Sequence, residues 1–326
     1  MRIAIDAMGG DFAPDNVIMG ACQALEIIDK DSTIVLVGKS DIIAPLLNNI
    51  GLNQDLKQRL EIIHADQIIE MHESPTKAVL SKTDSSIVVG LNLLKNNDVD
   101  VFSSAGNTGA ILTGALMHIG LIKGVLRPCL ASFAPDISNP NSKTAILDVG
   151  ANADCRPEIM HQFAILGHIL IRSMLNIENP KIKLLNIGEE EGKGNLLYKE
   201  TYQLLKNNPN LNFCGNIESN ALFDSNVDVI ITDGFTGNIV LKLAESFYEM
   251  AKKVFAMLPN SKTISALNYA NTGGAPILGI NQPVIVGHGK SSPEAIKNMI
   301  KFSYDTVKFN LVNNFKQNFA SSIHSS

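Results

Sequence analysis

Val99–Ala115 reads VDVFSSAGNTGAILTGA and contains the transition around which the rest of the chain is organised. A short apolar run ends in a loop of small residues, which leads directly into a run with helical character. This strand–turn–helix arrangement is typical of an anion site, because unpaired N–H groups and the helix dipole favour negative charge there. The alternative is a purely structural turn with Thr108 as the helix N-cap. The motif is neither GxGxxG nor a P-loop, so it does not indicate dinucleotide or NTP binding.

The composition predicts a cytoplasmic globular protein. The chain has 326 residues, 45% hydrophobic content and a net charge of −5, which suffices for one large or two ordinary domains. Lysines and arginines are scattered, so we expect no nucleic-acid partner. The four cysteines are far apart, which suits a reducing compartment and argues against a zinc cage. Neither a signal peptide nor a membrane span is predicted, since Asp6 interrupts the first apolar run and Val101–Ile122 contains many polar or small residues.

Short apolar strands alternate with helical patterns along the whole chain. The predicted strands after the first, Arg2–Ala7, are Thr33–Val37, Leu60–His64, the run before Ser103, Cys129–Phe133, Thr144–Val149, Ile182–Ile187, Val227–Ile231 and Val284–Val286. Helices are predicted from Pro14, from the cap at Asp84–Ser86 to about Leu94, after Gly109, over Pro157–Leu175, from Asn195 to about Lys206, after Asn238 and from Pro293. Met71–Lys77 reads as a polar loop. The alternation predicts an α/β fold with a largely parallel sheet.

Five loops at strand ends combine glycine with Asp, Asn, Thr or Ser. They are MGGD (8–11), SAGNTG (104–109), DVGAN (148–152), DGFTGN (233–238) and GHGKSS (287–292). Because open α/β sheets bind ligands at the carboxyl ends of their strands, five such loops favour a composite phosphate pocket. The alternative is that these residue types serve only as turn residues, as they do in many α/β proteins.

Other residues with reactive side chains are less informative. His288 lies between two glycines, where either a structural or a functional role fits. Asp6, Asp148 and Asp233 each end a strand and either cap loops or orient cations. No spacing of His, Cys, Asp and Glu resembles a metal-ligand set, and GxSxG is absent, so we expect no metal, no cofactor and no nucleophile elbow. The cysteines sit in apolar contexts, which indicates structural thiols.

In this order, the motifs resemble the PlsX family of bacterial phosphate acyltransferases. The matching stretches cover almost the whole chain: Asp6–Pro14, Ser74–Ser86, Ser104–Ala110, Arg127-Pro128, Asp148–Asn152, Asn186–Asn195, Gly215–Ser219, Asp233–Lys242 and Gly273–Ser291. The chain departs from the family in two places. Asn271-Thr272 precede Gly273-Gly274 where an aromatic residue is expected, and the stretch between Glu245 and Gly273 is shorter than in many relatives.

The resemblance implies transfer of a fatty acyl group from acyl-[acyl-carrier-protein] to inorganic phosphate, giving acyl phosphate for phospholipid synthesis. It also implies a homodimer and a three-layer α/β/α fold with a partly mixed sheet, like the isocitrate/isopropylmalate dehydrogenases. We expect residues 1–326 to form a single catalytic unit, with residues 246–272 as a projecting segment for dimer or membrane contact. Weak membrane association, or contact with the downstream membrane acyltransferase, would bring this cytoplasmic protein to the inner face of the membrane.

The expected site joins catalytic and phosphate-binding residues. Asn107, with an exposed amide, and Asn238 are expected to donate to the oxyanion, and His288 to protonate the leaving thiol. Lys193, or Lys82 as second choice, would balance the phosphate charge. The expected phosphate- or substrate-binding residues are Gly9, Gly10, Asp11, Ser104, Gly106, Thr108, Gly109, Asp148, Asn152, Asp233, Gly234, Thr236 and Gly237. Backbone N–H groups of 106–109 and 234–238 form the expected phosphate cradle.

Three other functions stay open at this point. A phosphate acetyltransferase-like enzyme would use an acyl-CoA donor with the same acceptor. A NAD-dependent dehydrogenase on the same fold should carry a nucleotide fingerprint and clustered metal-binding aspartates, and the sequence shows neither. A non-catalytic carrier-protein-binding module would not need so many polar loops.

Overall fold

The computed structural model of the chain describes residues 1–135, 143–223, 226–255 and 273–323. Its residues group into two compact units. The first unit comprises Met1–Gly120 and Ala270–Val312, and the second comprises Leu121–Tyr269 and Asn313–Ser326. That residues 1–326 act as a single catalytic unit stays a prediction. Most of the predicted contact segment 246–272, including Asn271, lies outside the described residues, as does Thr272.

Strands and helices alternate along the chain, as the sequence predicts. The strands are β1 (Arg2–Asp6), β2 (Thr33–Gly38), β3 (Leu60–His64), β4 (Val101–Ser104), β5 (Cys129–Pro135), β6 (Lys143–Leu147), β7 (Lys181–Leu185), β8 (Asn212–Ile217), β9 (Val229–Ile231), β10 (Ala275–Leu278) and β11 (Val284–Val286). The helices are α1 (Asp15–Ala24), α2 (Ser40–Asn49), α3 (Gln54–Lys57), α4 (Pro75–Ser81), α5 (Ser86–Lys95), α6 (Thr108–His118), α7 (Pro157–Leu175), α8 (Leu196–Lys206), α9 (Gly234–Phe255), α10 (Pro293–Lys308) and α11 (Leu311–Ile323). A 3-10 turn covers Ser219–Ala221.

The sheet of the first unit has the strand order β3-β2-β1-β4-β11-β10. Its pairs from β3 to β11 are parallel, and β10 pairs antiparallel with β11. Ile3, Ala4 and Ile5 of β1 are fully buried. Such continuous burial is typical of parallel strands covered on both faces. The polar loops after β1, β4 and β11 therefore meet at one edge of the sheet.

The sheet of the second unit has the strand order β5-β6-β9-β7-β8. β5 pairs antiparallel with β6, and the other pairs are parallel. The loops after β6, β9, β7 and β8 consequently open at the same edge. Both sheets thus contain parallel and antiparallel pairs, which confirms the mixed α/β fold with flanking helices.

Helix packing in the first unit depends on a glycine. A Cβ atom added at Gly20 of α1 would lie 2.5 Å from Cβ of Ile296 on α10, so the absent side chain lets the two helices touch. Ile296, Met299 and Ile300 of α10 are buried in the same core as Ile18. Helix α10 therefore buries one face in the core of the first unit.

Several predicted element boundaries are confirmed and others are wrong. Helix α10 begins at Pro293, as predicted, and the Ser292 side chain caps it. The predicted loop Met71–Lys77 is wrong at its end, because α4 already begins at Pro75. Strand β8 is missing from the prediction. Its sequence, NFCGNI, mixes polar residues with glycine, and it lies at a sheet edge where a strict apolar pattern is not required.

Candidate active site

A chain of hydrogen bonds beneath the first unit's loops starts at Asp6, whose side chain is buried. Its Oδ2 accepts a 2.6 Å hydrogen bond from Ser104 Oγ, and Ser104 Oγ accepts one of 3.0 Å from the Gly106 N–H. Asp6 Oδ1 accepts from the Met8 N–H at 3.0 Å. Burial raises the pKa of Asp6, while the hydrogen bonds from Ser104 and other donors partly offset that rise. The carboxyl group thus holds both the MGGD and the SAGNTG turns.

The MGGD loop approaches its neighbours too closely for a side chain at Gly9. An added Cβ atom would lie 2.4 Å from Asp6 Oδ2 and 2.8 Å from the Gly106 nitrogen. Gly10 has a φ of 109°, a conformation that favours glycine. The Asp11 N–H donates to the Gly289 carbonyl at 2.7 Å, which joins this loop to GHGKSS. Three predicted loops of the first unit therefore do lie together.

Asn107, not Thr108, is the N-cap of α6. Its Oδ1 accepts from the Ala110 N–H at 3.0 Å. Its Nδ2 donates to the backbone carbonyl oxygens of Glu70, Met71 and Glu73 at 3.1–3.2 Å. The side chain is 6% exposed. The expectation of an exposed amide is therefore wrong: this amide ties the start of α6 to loop 70–73 and has no hydrogen left for an oxyanion.

The first turn of α6 nevertheless retains two unused donors. The Ala110 N–H donates to the Asn107 side chain, and the Ile111 N–H donates to the Asn107 carbonyl. The N–H groups of Thr108 and Gly109 donate to no acceptor in the part of the chain that the structure describes. This pair, at the positive end of the helix dipole, is suited to an anion.

Two other predicted residues of the first unit have definite partners. His288 Nδ1 accepts from the Lys290 N–H at 3.1 Å, so the neutral ring carries its proton on Nε2. The Ser291 hydroxyl donates to the His288 carbonyl at 2.6 Å. Lys82 forms an ion pair with Glu73 at 2.5 Å and donates to the Ile68 carbonyl at 2.7 Å. Lys82 is therefore part of the frame that holds loop 68–73.

In the second unit, the fully buried carboxylate of Asp148 organises the DVGAN loop. Its two oxygens accept hydrogen bonds of 2.7–3.2 Å from the N–H groups of Leu130, Gly150, Ala151 and Asn152, and from the Asn152 side-chain amide. Burial raises the pKa of Asp148, and the hydrogen bonds oppose that rise. With these five donors the Asp148 oxygens are occupied. The Asn152 side-chain amide donates to Asp148 Oδ2 at 2.9 Å and to the Pro128 carbonyl at 2.8 Å, so both side chains shape the loop.

Asp233 caps α9 and binds a tyrosine that the sequence prediction missed. Its carboxylate accepts from the Thr236 N–H and hydroxyl, both at 2.8 Å, and from the Tyr198 hydroxyl at 2.6 Å. Burial, and next the contact with Asp233, raises the pKa of Tyr198 to about 12. Tyr198 lies three residues after the matched stretch Asn186–Asn195, on the buried side of α8. An aromatic residue at such a position is interpreted from the sequence as part of the core.

The N–H groups at the start of α9 are mostly occupied. The Gly234 N–H donates to the Asn152 carbonyl, the Thr236 N–H to Asp233 Oδ1, and the Gly237 N–H to the Asp233 carbonyl. Within the described ranges, the Phe235 N–H is therefore the one donor in the first turn of α9 that has no acceptor, which reduces the expected phosphate cradle at 234–238. A Cβ atom at Gly237 would lie 1.9 Å from the Asp148 carbonyl oxygen, so glycine is needed for this close approach.

Asn238 and Lys193 remain accessible in the second unit. Asn238 is exposed on the first turns of α9, and its side chain lies 3.5–3.6 Å from where a Cβ atom of Gly150 would be. Its amide has no hydrogen-bond partner among the described residues. The Lys193 ammonium is about half exposed and lies 3.7 Å from a Glu190 carboxylate oxygen, so its ion pair is loose and solvent-screened.

A cleft of about 580 Å³, here called the second-unit cleft, lies at the ends of β7 and β8. Its apolar lining comes from Leu185, Ile187, Tyr198 and Val240, and its polar lining includes Asn195, Glu218, Ser219, Asn220 and Thr236. Because Thr236 belongs to the first turn of α9, the cleft borders the same turn as Asn238. The sequence carries no continuous signal for this cleft, since four separate segments form it.

The cysteines differ in their exposure: two are buried, one is partly buried and one is exposed. Within the described ranges, no group of three or more His, Cys, Asp or Glu residues is placed to hold a metal ion. Burial raises the pKa of both Cys22 and Cys155 to about 11 and raises that of Cys129, whereas Cys214 is exposed, contrary to the prediction of apolar surroundings. No described helix has both the length and the apolar character that a membrane crossing requires.

Comparisons with known proteins give the family. The model of the family described as "Fatty acid synthesis protein" matches residues 1–314. The phosphate acyltransferase of Dictyoglomus turgidum is 44% identical over 324 residues, covering 94% of each chain. That of Clostridioides difficile is 41% identical over 333 residues, covering 97% of this chain and 96% of the relative.

Solved structures are similar in fold. A phosphotransacetylase from Streptococcus pyogenes matches with a TM-score of 0.64 at 19% identity, covering 94% of each chain. A branched-chain phosphotransacylase from Enterococcus faecalis V583 matches with a TM-score of 0.61 at 13% identity, covering 94% of this chain and 99% of the other. At such identities these matches show the fold alone. The full-length family match and the relatives above 40% identity show that the chain belongs to the fatty acid synthesis protein family, the PlsX family of acyltransferases.

Proposed function

We propose that this protein transfers a fatty acyl group from an acyl carrier protein thioester to inorganic phosphate, giving acyl phosphate for phospholipid synthesis. The names of the close relatives support phosphate as the acceptor. The observation that carries the proposal is the pair of unused N–H groups of Thr108 and Gly109, held at the start of α6 by buried hydrogen bonds. Such a rigid pair of donors suits phosphate oxygens.

The reaction needs positioning more than proton abstraction. Phosphate is already anionic near neutral pH, and one of its oxygens attacks the thioester carbonyl carbon. The C–O bond forms, the tetrahedral intermediate collapses, and the C–S bond breaks to release the thiolate, which then takes a proton. Orienting the two reactants can supply about 7–11 kcal/mol of the barrier reduction. No covalent acyl-enzyme is required, in keeping with the raised pKa of Cys155 and Cys129.

The roles of the predicted catalytic residues divide according to their contacts. Asn238, with its exposed amide, is the candidate donor to the carbonyl oxygen, where one such donor is worth about 2.7–4 kcal/mol. Asn107 acts as a positioning residue, because its amide already holds loop 70–73. His288 is the candidate proton donor to the departing thiolate through Nε2. Lys193 is the candidate counter-charge for phosphate, since Lys82 is engaged with Glu73.

The glycine-rich loops supply the frame for these groups. In the first unit, Gly9, Gly10, Asp11, Ser104 and Gly106 shape the turns on which Thr108 and Gly109 depend. In the second unit, the carboxylates and small residues of DVGAN and DGFTGN set the start of α9. In this proposal, most of the predicted binding residues shape the loops. Backbone N–H groups, and not these side chains, contact phosphate directly.

We also propose that the protein is a homodimer. The support is a stripe of exposed large apolar side chains along α9, here called the α9 stripe. Its members are Phe235, Ile239, Leu243, Phe247 and Met250, each between 51% and 69% exposed. Their spacing of four, four, four and three residues lies on one helix face. A continuous apolar face of this kind is typical of an interaction surface. Contact with a membrane surface or with a membrane-bound acyltransferase is the alternative for the same stripe.

The test is a direct assay for acyl phosphate. Purified protein is incubated with phosphate and a palmitoyl thioester carried either by acyl carrier protein or by coenzyme A, and acyl phosphate is trapped with hydroxylamine. We expect phosphate-dependent hydroxamate with the carrier-protein donor at a higher kcat/KM than with the coenzyme A donor. A preference for coenzyme A would favour the phosphate acetyltransferase-like alternative. Absence of hydroxamate with both donors would overturn the proposal.

A further inference from the structure

The second-unit cleft differs from a simple hydrophobic slot. Its volume of about 580 Å³ lies within the range of small-molecule sites, about 300–1,000 Å³. Leu185, Ile187 and Val240 provide apolar surface, but the half-buried carboxylate of Glu218 and the polar side chains of Ser219 and Asn220 line the same space. An occupant of this cleft must therefore present both apolar segments and hydrogen-bonding groups.

The polar groups of the cleft are available to a ligand. The side chains of Glu218, Ser219 and Asn220 make no hydrogen bond or ion pair with any described residue. Asn195 uses its Oδ1 to cap α8 through the Tyr198 N–H at 3.1 Å, which leaves its Nδ2 hydrogens for another acceptor. Together these residues offer side-chain amide donors, a hydroxyl and a carboxylate acceptor in the same cleft as the apolar side chains of Leu185, Ile187 and Val240.

The strand order determines which residues border each side of the cleft. The parallel strands lie in the order β9-β7-β8, and the cleft crosses their carboxyl ends. Thr236, which follows β9, borders one side, and Glu218–Asn220, which follow β8, border the other. The Thr236 side adjoins the α9 turn that carries Asn238, the candidate donor to the thioester carbonyl. The polar residues Glu218, Ser219 and Asn220 lie on the β8 side of the cleft.

We propose that the second-unit cleft binds the amide-containing arm of the thioester donor, a linear chain of the pantetheine type with two secondary amides. This inference rests on the proposed function. The thioester end lies toward Thr236 and Asn238, and the distal amide hydrogen-bonds to Glu218 and Asn220. A fatty acyl chain is a poorer occupant, because it would remove water from the Glu218 carboxylate without supplying a hydrogen bond. An amide N–H supplies that bond, and the short methylene runs between the amides contact Leu185 and Val240.

The test varies the arm and the acyl chain independently. Butyryl and palmitoyl groups are each presented on pantetheine, which has both amides, and on N-acetylcysteamine, which lacks the distal amide. Glu218→Leu is compared with the wild type and with Glu200→Leu, a matched control at an exposed position of α8 outside the cleft. We expect Glu218→Leu to raise KM for both pantetheine thioesters by about tenfold, which corresponds to about 1.4 kcal/mol, and to leave both N-acetylcysteamine thioesters within twofold of wild type.

Other patterns of KM overturn the inference. An effect of Glu218→Leu that follows the acyl chain length instead of the arm would assign the cleft to the fatty acyl chain. Equal KM values for wild type and Glu218→Leu with all four donors would assign it no role in donor binding. Circular dichroism and thermal unfolding establish that the variants fold.

A binding measurement separates this inference from the proposed function. A non-reactive S-alkyl pantetheine is titrated into wild type, Glu218→Leu and Glu200→Leu by calorimetry. Binding that Glu218→Leu weakens about tenfold supports the cleft even if no acyl phosphate forms, in which case only the proposed reaction fails. Wild-type turnover to acyl phosphate without any effect of Glu218→Leu on thioether binding would leave the reaction standing and reject the cleft.

Discussion

Asp6 Oδ2 and Ser104 Oγ are 2.6 Å apart, although 98 residues separate them in the chain. They meet because β1 and β4 are parallel neighbours, with Ile5 opposite Ser103. Ser104 Oγ also accepts a hydrogen bond from the Gly106 N–H at 3.0 Å and so connects Asp6 to the turn before α6. A buried carboxyl group thus fixes the turn before α6 through hydrogen bonds. The position of the free N–H groups of Thr108 and Gly109 depends on this turn.

Ser104→Ala should lower both the stability of the protein and its turnover to acyl phosphate. The change leaves Asp6 Oδ2 and the Gly106 N–H buried without their hydrogen-bond partner, which typically costs about 1–3 kcal/mol in the free energy of unfolding. Because the turn then loses its anchor, we expect turnover in the hydroxylamine assay to fall by about tenfold or more. Urea unfolding and turnover are measured on the same preparation.

Ser103→Ala is the matched control. Ser103 is also buried in β4, but its hydroxyl makes one longer contact of 3.3 Å with the Ala4 carbonyl and supports no loop. We expect turnover near that of the wild type. Equal turnover of Ser104→Ala and Ser103→Ala would refute the supporting role of Asp6 and Ser104.

Replacements of Asn107 should separate its two functions. Asn107→Ser retains an oxygen that can cap α6 but loses the donors to Glu70, Met71 and Glu73, whereas Asn107→Ala loses the cap as well. We expect Asn107→Ser to lose about 1–3 kcal/mol of stability through the unpaired carbonyls, and Asn107→Ala to lose about a further 0.5–2 kcal/mol. Thermal unfolding of the three proteins measures this order.

The same variants test the revised role of Asn107. Both should lose turnover, because loop 70–73 and the start of α6 are no longer joined. An Asn107→Ala protein as stable as wild type but inactive would instead favour direct contact with substrate. A stable Asn107→Ser protein with full turnover would show that the link to loop 70–73 does not matter.

Buried His168 should make the protein sensitive to acid. Burial lowers the pKa of His168 below its ordinary value of 6.5, and its Nδ1 has no hydrogen-bond partner in the described part of the chain. Below about pH 6.5 the unfolded chain binds the proton more readily than the folded one, so the unfolding free energy falls as the pH falls through this window. His168→Leu removes this contribution.

Urea unfolding at about pH 7.5 and about pH 5.5 measures the effect. We expect His168→Leu to lose less stability between the two values than wild type does, and to be no less stable than wild type at the higher one. His72→Leu, at an exposed histidine, is the control and should retain the wild-type difference. A pH dependence of His168→Leu identical to that of wild type would contradict the prediction.

Charges in the α9 stripe should dissociate the proposed dimer. Leu243 is 69% exposed and Phe247 is 58% exposed, so aspartate at either position should not disturb the fold of the monomer. In an interface, however, each aspartate would be buried without a partner. We expect Leu243→Asp and Phe247→Asp to raise the dimer dissociation constant at least about tenfold in sedimentation experiments.

Met19→Asp, at a 47% exposed methionine of α1, is the control and should leave the dimer intact. Flotation with liposomes distinguishes the alternative occupant of the stripe. An unchanged dimer together with lost flotation would assign the stripe to a membrane surface. Residues 256–272 of the predicted contact segment 246–272 lie outside the described residues.

Local sequence patterns determined the fold class and the ends of many elements. Apolar runs of strand length, helical spacing and Pro or Ser at helix starts act over a few residues, so Leu60–His64, Pro157–Leu175 and the start of α10 could be predicted without tertiary information. The order of the five glycine-containing loops was enough for the family. The edge strand β8 escaped prediction because its residues face fewer neighbours and need no strict pattern.

Tertiary structure alone decided which polar groups are free to act. Asn107 looked available because its partners, the carbonyls of loop 70–73, lie at least 34 residues away in the chain. The N–H groups of α9 looked suited to phosphate, but Asn152 and Asp233 already occupy most of them. Hydrogen-bond capacity is used up by groups that the fold brings together from distant segments, and burial makes each such pairing obligatory. The sequence therefore shows which residues can bind, and only the folded chain shows which of them still have a hydrogen bond to offer.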